Sequence, residues 1–299
     1  MDLLLFLPFI AFVIALFTAQ AGVSGAFLLL PFQISVLGFT SPAVSSTNLV
    51  YNLVAIPSGV FRYVQEKRMA WPITLVIIIG TLPGVFIGAF FRVGYLVDVK
   101  TFKLFVGLVL LYLGLRLIYS TFYPNEKLKE LEKKFNEKVE KLKRQQKKKI
   151  AAGLPDVAVK MKRFGLTTTY EFWEEEFSFS TIGLLLLSFA VGIIGGAYGI
   201  GGGAIIAPFI VAVFGLPTYT IAGATLMATL LTSVVGVVYY THLGYPPNWI
   251  VGILFGIGGF FGMYFGARLQ KYMPERVIRV FLSVLILLLS ARYILQYFV

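Results

Sequence analysis

Residues 195–208 read GGAYGIGGGAIIAP, a glycine-rich stretch between two apolar segments. Residues 22–31 read GVSGAFLLLP, so Gly22, Gly25 and Pro31 recur 177 positions later in the same order. Each glycine weakens a helix by about 1 kcal/mol relative to alanine, so both stretches should interrupt the helix that contains them. The pattern predicts two copies of one broken-helix unit.

The repeat extends through both apolar halves of the chain. Gly59 matches Gly236 at the same offset, and Trp71 matches Trp249 one residue later. Each half divides into five apolar segments, of which the last three have about 20 residues and can cross a core of about 30 Å. The first two are shorter and predict a broken helix or a re-entrant hairpin near the middle of a membrane. The segments are 3–20, 25–38, 42–63, 71–91 and 101–121 in the first half, and 180–196, 201–215, 217–241, 248–267 and 277–297 in the second.

The composition is that of a membrane protein. Hydrophobic residues make up 58% and charged residues 13% of the 299 residues, with a mean hydropathy of +0.84. Of the 40 charged residues, 24 lie in 122–178, and none lies in 3–61 or 177–267. Such uncharged runs exclude a soluble enzyme, a nucleic-acid-binding domain and a disordered chain. The chain has no cysteine and a single histidine, His242. We therefore expect no metal centre and no cofactor.

The first apolar segment has two interpretations. Ala19-Gln20-Ala21 is typical of a signal-peptide cleavage site. An uncleaved membrane helix is favoured because no Lys or Arg precedes the segment and because the segment recurs inside the chain.

The distribution of Lys and Arg predicts the topology. The loop with Arg62, Lys67 and Arg68 is basic, whereas its counterpart, 241–247, carries no charge; the loop that follows Ala267 is basic in turn. Under the positive-inside rule, corresponding loops then lie on opposite faces of the cell membrane. We therefore predict an all-α polytopic membrane protein with two inverted-topology repeats, each with a Gly-broken or re-entrant helix hairpin plus three transmembrane helices. The predicted divisions are a first membrane repeat (1–121), a cytoplasmic charged helical insert (122–178) and a second membrane repeat (179–299), with both termini outside.

The insert reads as a helix over 125–149 with a narrow apolar stripe. A solvated linker helix, a weak coiled coil and a helix lying on anionic lipid all fit this pattern. Its acidic tail, 171–176, could contact that basic helix or form an anchoring turn at the interface.

Polar side chains inside the apolar segments are the first candidates for a binding site. Asn48 and Asn52 share one helical face, and the matching face of the second half carries Thr225 and Thr229. Hydrogen bonds between helices are the alternative explanation. Because matched positions are polar in both halves, we predict a substrate site near the midplane between the repeats.

The helix breaks give a second reason to expect a binding site. A helix that begins at Ser24 or Gly201 directs free N–H groups and a partial positive charge into the membrane, which suits an anion. Gly25 and Gly202 allow a ligand to approach the backbone, and Gln20 or Ser24 can add a donor. The alternative is that the glycines only allow close helix packing, as expected for Gly84 with Gly88 and for Gly262 with Gly266. Arg62 is a candidate for an anion-attracting vestibule.

The glycine motif resembles a known family. Gly199-Ile-Gly-Gly-Gly-Ala-Ile-Ile-Ala-Pro208, followed by Gly215-Leu-Pro217 and Ala222-Gly-Ala-Thr225, is similar to the motif of the sulfite exporter TauE/SafE family of membrane permeases. The first half carries the related Gly22-Val-Ser-Gly-Ala-Phe-Leu-Leu-Leu-Pro31. The resemblance covers both membrane halves and leaves the insert unmatched. It implies transport of sulfur-containing anions, sulfite or organosulfonates, usually outward.

We therefore expect a transporter that moves a small sulfur-containing anion by alternating access around the midplane site. A channel or facilitator for another small anion is one alternative, and a membrane scaffold that acts through the cytoplasmic helix is another. An enzyme is not expected, because neither a nucleophile beside a base nor a metal cluster is visible. The expected partners are a small anion and the lipid bilayer, without nucleic acid; a homo-oligomer is compatible with the sequence.

Overall fold

The computed structural model describes residues 2–123, 130, 159–172, 175–269 and 275–298. The helix predicted over 125–149 lies outside the described residues, apart from residue 130. The helices within the described ranges are α1 (Asp2–Thr18), α2 (Ala26–Ser35), α3 (Ala43–Gln65), α4 (Trp71–Gly94), α5 (Val99–Phe122), α6 (Thr181–Tyr198), α7 (Ile206–Phe214), α8 (Thr218–His242), α9 (Trp249–Leu269) and α10 (Glu275–Phe298). The strands are β1 (Lys160–Arg163), β2 (Thr167–Phe172) and β3 (Glu175–Ser180).

Local sequence explains where several helices begin. Pro72 lies in the first turn of α4, where its missing N–H costs no hydrogen bond. The Asp98 carboxylate accepts a hydrogen bond from the Thr101 backbone N–H at 2.8 Å and so caps α5. The Ser180 hydroxyl accepts from the Gly183 N–H at 3.1 Å at the start of α6.

The helical, multi-pass membrane architecture is confirmed. Among the described residues, five helical segments are long and apolar enough to cross a membrane: 71–94 in α4, 99–119 in α5, 181–198 in α6, 220–242 in α8 and 249–269 in α9. The expectation that both opening segments of each half are short is wrong for α6, whose 18 residues reach spanning length. By contrast, α2 and α7 have 10 and 9 residues. At 1.5 Å per residue, each rises only about 15 Å, half of the hydrocarbon core.

The two halves pack against each other in a reciprocal pattern. The opening helix of each half lies against the fourth helix of the other, α1 on α9 and α6 on α4. Glycines bring these backbones together: a Cβ on Gly88 would lie 2.6 Å from the Ala197 nitrogen, and one on Gly266 would lie 2.6 Å from the Leu16 oxygen. The third helices, α3 and α8, also meet, as do the fifth helices, α5 and α10.

A small sheet that the sequence did not predict lies between the halves in the chain. Strands β1, β2 and β3 pair antiparallel in that order, and Glu171 pairs with Glu176. The ends of the 171–176 segment therefore belong to strands that the sequence analysis did not predict, and residues 173–174 lie outside the described residues. The Tyr170 hydroxyl lies 2.9 Å from the Thr220 hydroxyl, and the Val159 N–H donates to the Lys67 carbonyl at 3.3 Å. The sheet thus lies at the end of the molecule where α3 ends and α8 begins, which we call the insert face. The C-terminal end of α4 lies at the other end of the molecule, which we call the opposite face.

Candidate functional site

Both glycine stretches break their helices at matched positions. Gly22 has φ 67° and Gly199 has φ 78°, the left-handed region that L side chains avoid. A Cβ on Gly22 would lie 2.6 Å from the Ala222 Cα, and one on Gly199 would lie 2.5 Å from the Ser45 Cα. Glycine is therefore required at both breaks for conformation and for space.

The third helix of each half holds the break of the other half. The Thr225 hydroxyl donates to the Gly22 carbonyl at 2.7 Å, and the Asn48 amide donates to the Gly199 carbonyl at 2.9 Å. Thr225 and Asn48 are 177 residues apart, as are Gly199 and Gly22. The two breaks are thus cross-braced by equivalent residues of α8 and α3.

A second matched pair binds each break within its own half. The Tyr63 hydroxyl donates to the Ala19 carbonyl at 3.1 Å, and the Tyr240 hydroxyl donates to the Gly196 carbonyl at 2.8 Å. Both carbonyls belong to the last turn before a break, where a helix has no intrahelical donor left to satisfy them. The tyrosines therefore stabilise the ends of the opening segments.

The Asn52 side chain lies where both breaks meet. Its amide donates to the Ile200 carbonyl at 2.9 Å and to the Ser233 hydroxyl at 3.0 Å, and its oxygen accepts from the Ser24 hydroxyl. The Asn48 amide donates to the Ala26 carbonyl at 3.0 Å besides Gly199. Both asparagines therefore use all their amide donors within the protein.

The structure brings the predicted site residues together and buries them. Ser24, Asn48, Asn52, Thr225 and Thr229 are fully buried, and Gln20 is 3% exposed. The Gly202 N–H donates to the Thr232 hydroxyl at 3.0 Å, and a Cβ on Gly201 would lie 3.0 Å from the Thr229 methyl group.

Two of the predicted residues donate to carbonyls four residues earlier in the chain. The Gln20 amide donates to the Leu16 carbonyl at 2.9 Å, and the Thr229 hydroxyl donates to the Thr225 carbonyl at 2.7 Å. Such local bonds leave these side chains able to exchange one acceptor for another.

Two residues that the sequence analysis missed complete the site. The buried hydroxyls of Tyr51 and Thr18 have no hydrogen-bond partner among the described residues. Both lie beside Gly25, because a Cβ there would be 2.6 Å from the Tyr51 oxygen and 3.4 Å from the Thr18 oxygen. Gly25 precedes the first turn of α2, at the positive end of its helix dipole. There the Ala26 N–H donates to the Ser24 hydroxyl at 3.2 Å, and the Leu28 N–H donates to the Gly25 carbonyl at 3.0 Å. The position of Tyr51 beside Asn52 and three residues after Asn48 was the available signal.

Comparison with known proteins identifies the family. The family model described as "Sulfite exporter TauE/SafE" matches residues 7–293, nearly the whole chain. The chain belongs to the sulfite exporter TauE/SafE family. It is also 23% identical over 257 residues to the "Probable membrane transporter protein YunE" of Bacillus subtilis (strain 168), covering 86% of this chain and 82% of that protein. No solved structure matches the chain significantly.

This TauE/SafE member is therefore a membrane transporter, as predicted, and the resemblance first seen in its glycine motif is confirmed. The family match also extends across the insert, which the sequence analysis left unmatched.

The vestibule candidate, Arg62, lies at the insert face of this TauE/SafE transporter. Its guanidinium pairs with the Glu66 carboxylate at 2.6 Å and donates to the Gln65 side chain at 3.0 Å. Arg68 pairs with the other Glu66 oxygen at 2.9 Å. The spacing of Arg62 and Glu66, four residues apart on one helix, would have predicted the first pair. Together the three groups carry one net positive charge in a nearly buried setting.

Proposed function

We propose that this protein transports small sulfur-containing anions, sulfite or organosulfonates, across the cell membrane by alternating access around the two helix breaks. The observation that carries the proposal is the cross-bracing of each break by the third helix of the other half. A ligand between the breaks would contact both halves at once, so its binding is coupled to their relative position.

The reciprocal packing supports two inverted-topology repeats. Replacing each helix by its counterpart in the other half turns the pair α1–α9 into the pair α6–α4. The same replacement of residues turns the bond Thr225–Gly22 into the bond Asn48–Gly199. Related halves that meet at a midplane site are the common plan of secondary transporters. In our proposal, the insert is cytoplasmic and both termini lie outside, as the basic loops predict.

The chemistry around Gly25 supports an anionic substrate. The first turn of α2 supplies the positive end of a helix dipole, and the hydroxyls of Thr18 and Tyr51 add two donors that have no partner among the described residues. A sulfite or sulfonate group has three oxygens that can accept from donors of this kind. No charged residue of the membrane segments would have to meet the ligand there.

The saturated asparagines explain why two states are needed. Asn48 and Asn52 have no amide donor free for a ligand while they hold Gly199 and Ile200. A ligand that recruits either amide must release a break, which moves one half against the other. We infer that exchange between these two sets of hydrogen bonds is the switch.

A melting experiment on purified protein in detergent tests the substrate class. Sulfite, sulfate, sulfoacetate, taurine, acetate and a neutral sugar are compared on the wild type and on Tyr51→Phe. A ligand at 100 times its Kd stabilises the native state by about 2.7 kcal/mol. We expect sulfite or a sulfonate to raise the melting temperature of the wild type and to do so weakly in Tyr51→Phe.

Tyr170→Phe is the matched control, because the Tyr170 hydroxyl is buried but lies at the sheet, bonded to Thr220. It should keep the full ligand shift. Stabilisation by the sugar alone would contradict an anion carrier, and an equal loss of the shift in both variants would remove Tyr51 from the site.

A further inference from the structure

Arg92 is an unusual cation at the opposite face. It lies in the last turn of α4 and is fully buried. One of its terminal nitrogens donates to the Leu96 carbonyl, and its guanidinium carbon lies 3.6 Å from the centre of the Phe102 ring. The Nε and the second terminal nitrogen have no acceptor in the part of the chain that the structure describes.

The carboxylate closest in sequence does not neutralise Arg92. Asp98 accepts from the backbone N–H and the hydroxyl of Thr101, at 2.8 Å and 2.9 Å. The phenols of Tyr240 and Tyr245, which are neutral at pH 7, lie near the guanidinium. A buried cation is ordinarily paired, because an uncompensated buried charge is strongly destabilising.

The insert face shows the paired arrangement for comparison. There Arg68 stacks on the Tyr63 ring at 4.7 Å and pairs with Glu66. Tyr63 and Tyr240 are equivalent residues of the two halves. A buried arginine thus lies beside each of two matched tyrosines, with a carboxylate only at the insert face.

Arg92 also lies close to the second helix break. The Tyr240 hydroxyl donates to the Gly196 carbonyl at 2.8 Å, and the Ser45 hydroxyl donates to the Tyr198 carbonyl at 3.5 Å. Tyr240 thus lies near Arg92 and bonds to the last turn before Gly199.

We propose that Arg92 is an anion-binding site at the opposite face, where a small oxyanion accepts hydrogen bonds from the two uncommitted guanidinium nitrogens. A planar guanidinium offers two parallel donors that match two oxygens of a sulfite, sulfonate or sulfate group. The 95–98 loop, in which Tyr95, Val97 and Asp98 are exposed and the Leu96 carbonyl accepts from Arg92, has to move for the anion to enter. That this site passes its anion to the helix breaks rests on the proposed function; the binding itself does not.

Sulfate titration of purified protein tests the site, at constant ionic strength with chloride replaced. The variants are Arg92→Met and, as the control, Arg268→Met, which changes the exposed arginine in the last turn of α9, the counterpart of α4 in the second half. We expect sulfate to raise the melting temperature of the wild type and of Arg268→Met saturably. Arg92→Met should melt no lower than the wild type without sulfate, because it removes an unpaired buried charge, and should lack the saturable rise.

A third variant guards against a change in folding. Arg92→Lys keeps the charge but loses the paired donors, so we expect its apparent affinity for sulfate to fall about tenfold or more while a saturable rise remains. A lower melting temperature of Arg92→Met together with an unchanged saturable rise would overturn the proposal and leave Arg92 as a helix-capping group.

Flux separates this inference from the proposed function. If the wild type carries no sulfur anion but shows a sulfate shift that needs Arg92, the transport proposal fails and the binding site stands. If flux is saturable and Arg92→Met changes neither its KM nor the sulfate shift, the site fails and the transport proposal stands.

Discussion

The two helix breaks share one scaffold but differ in the side chains around them. At matched positions, the first half carries Asn48 and Asn52 where the second carries Thr225 and Thr229. The asparagines reach across to the main chain of the other half, whereas the Thr229 hydroxyl donates to a carbonyl of its own helix. The uncommitted hydroxyls of Thr18 and Tyr51 also lie at the first break.

This difference indicates that the reciprocal packing does not depend on the residues of the proposed binding site. Glycines and matched tyrosines build the same frame twice. The frame should therefore respond equally to equivalent changes in the two halves, whereas ligand recognition should depend on the first half more than on the second.

The largest expected effect comes from filling a break. Gly199→Ala and Gly22→Ala each place a Cβ within 2.6 Å of a neighbouring Cα and impose a left-handed backbone on alanine. Strain of about 1–2 kcal/mol and overpacking of about 1–3 kcal/mol add up. We expect both variants to lose most monodisperse protein on size-exclusion chromatography.

Gly38→Ala is the control, because Gly38 has φ 70° but, apart from its two chain neighbours, no described residue has an atom within 4 Å of its Cβ position. It should pay the backbone strain alone and stay monodisperse. Equal damage at Gly38 and Gly199 would show that the close approach at the break does not matter.

The next largest effect is expected to differ between the third helices, α3 and α8. Asn52→Ala leaves the Ser24 O–H without its acceptor and the Ile200 carbonyl without its Asn52 donor, and each buried unsatisfied group costs about 1–3 kcal/mol. Thr229→Ala removes a bond within one helix, worth about 0.6 kcal/mol in a membrane. We expect the melting temperature to fall several-fold further in Asn52→Ala. Similar decreases in the melting temperature of the two variants would contradict the proposed difference between the two halves.

A smaller, matched effect tests the shared frame. Tyr63→Phe and Tyr240→Phe each remove one hydroxyl from the carbonyl before a break, and we expect each to lower stability by about 1 kcal/mol. Thermal melting of both variants checks the match. A large effect in only one half would show that the two frames are not equivalent.

The smallest structural effect is expected at Tyr51. Its hydroxyl has no partner among the described residues, so Tyr51→Phe should leave the melting temperature unchanged or slightly higher without ligand. The same variant should raise the KM for the transported anion. A marked loss of stability without ligand would mean that the hydroxyl has a structural role.

The sequence predicted the positions of the helix breaks better than it predicted the side-chain contacts around them. Glycine runs and the 177-residue repeat located both breaks, and helix periodicity placed Asn48 beside Asn52. The sequence could not predict that the Thr18 and Tyr51 hydroxyls flank Gly25 without a hydrogen-bond partner among the described residues, because this depends on how α1, α2 and α3 pack. The sheet was missed because β2 is only six residues long and follows a charged stretch. The burial of Arg92 was missed because it depends on how the Leu96 carbonyl and the Phe102 ring pack against the guanidinium.

Counterflow in proteoliposomes tests the central claim most directly. Vesicles with purified protein are loaded with unlabelled sulfite or sulfoacetate, and the uptake of the labelled anion is followed. We predict saturable uptake that internal anion accelerates, with a higher KM in Tyr51→Phe and an unchanged KM in Tyr170→Phe. Uptake that rises linearly with concentration and ignores the internal anion would indicate a channel, and no uptake of any sulfur anion by monodisperse protein would contradict the proposed function.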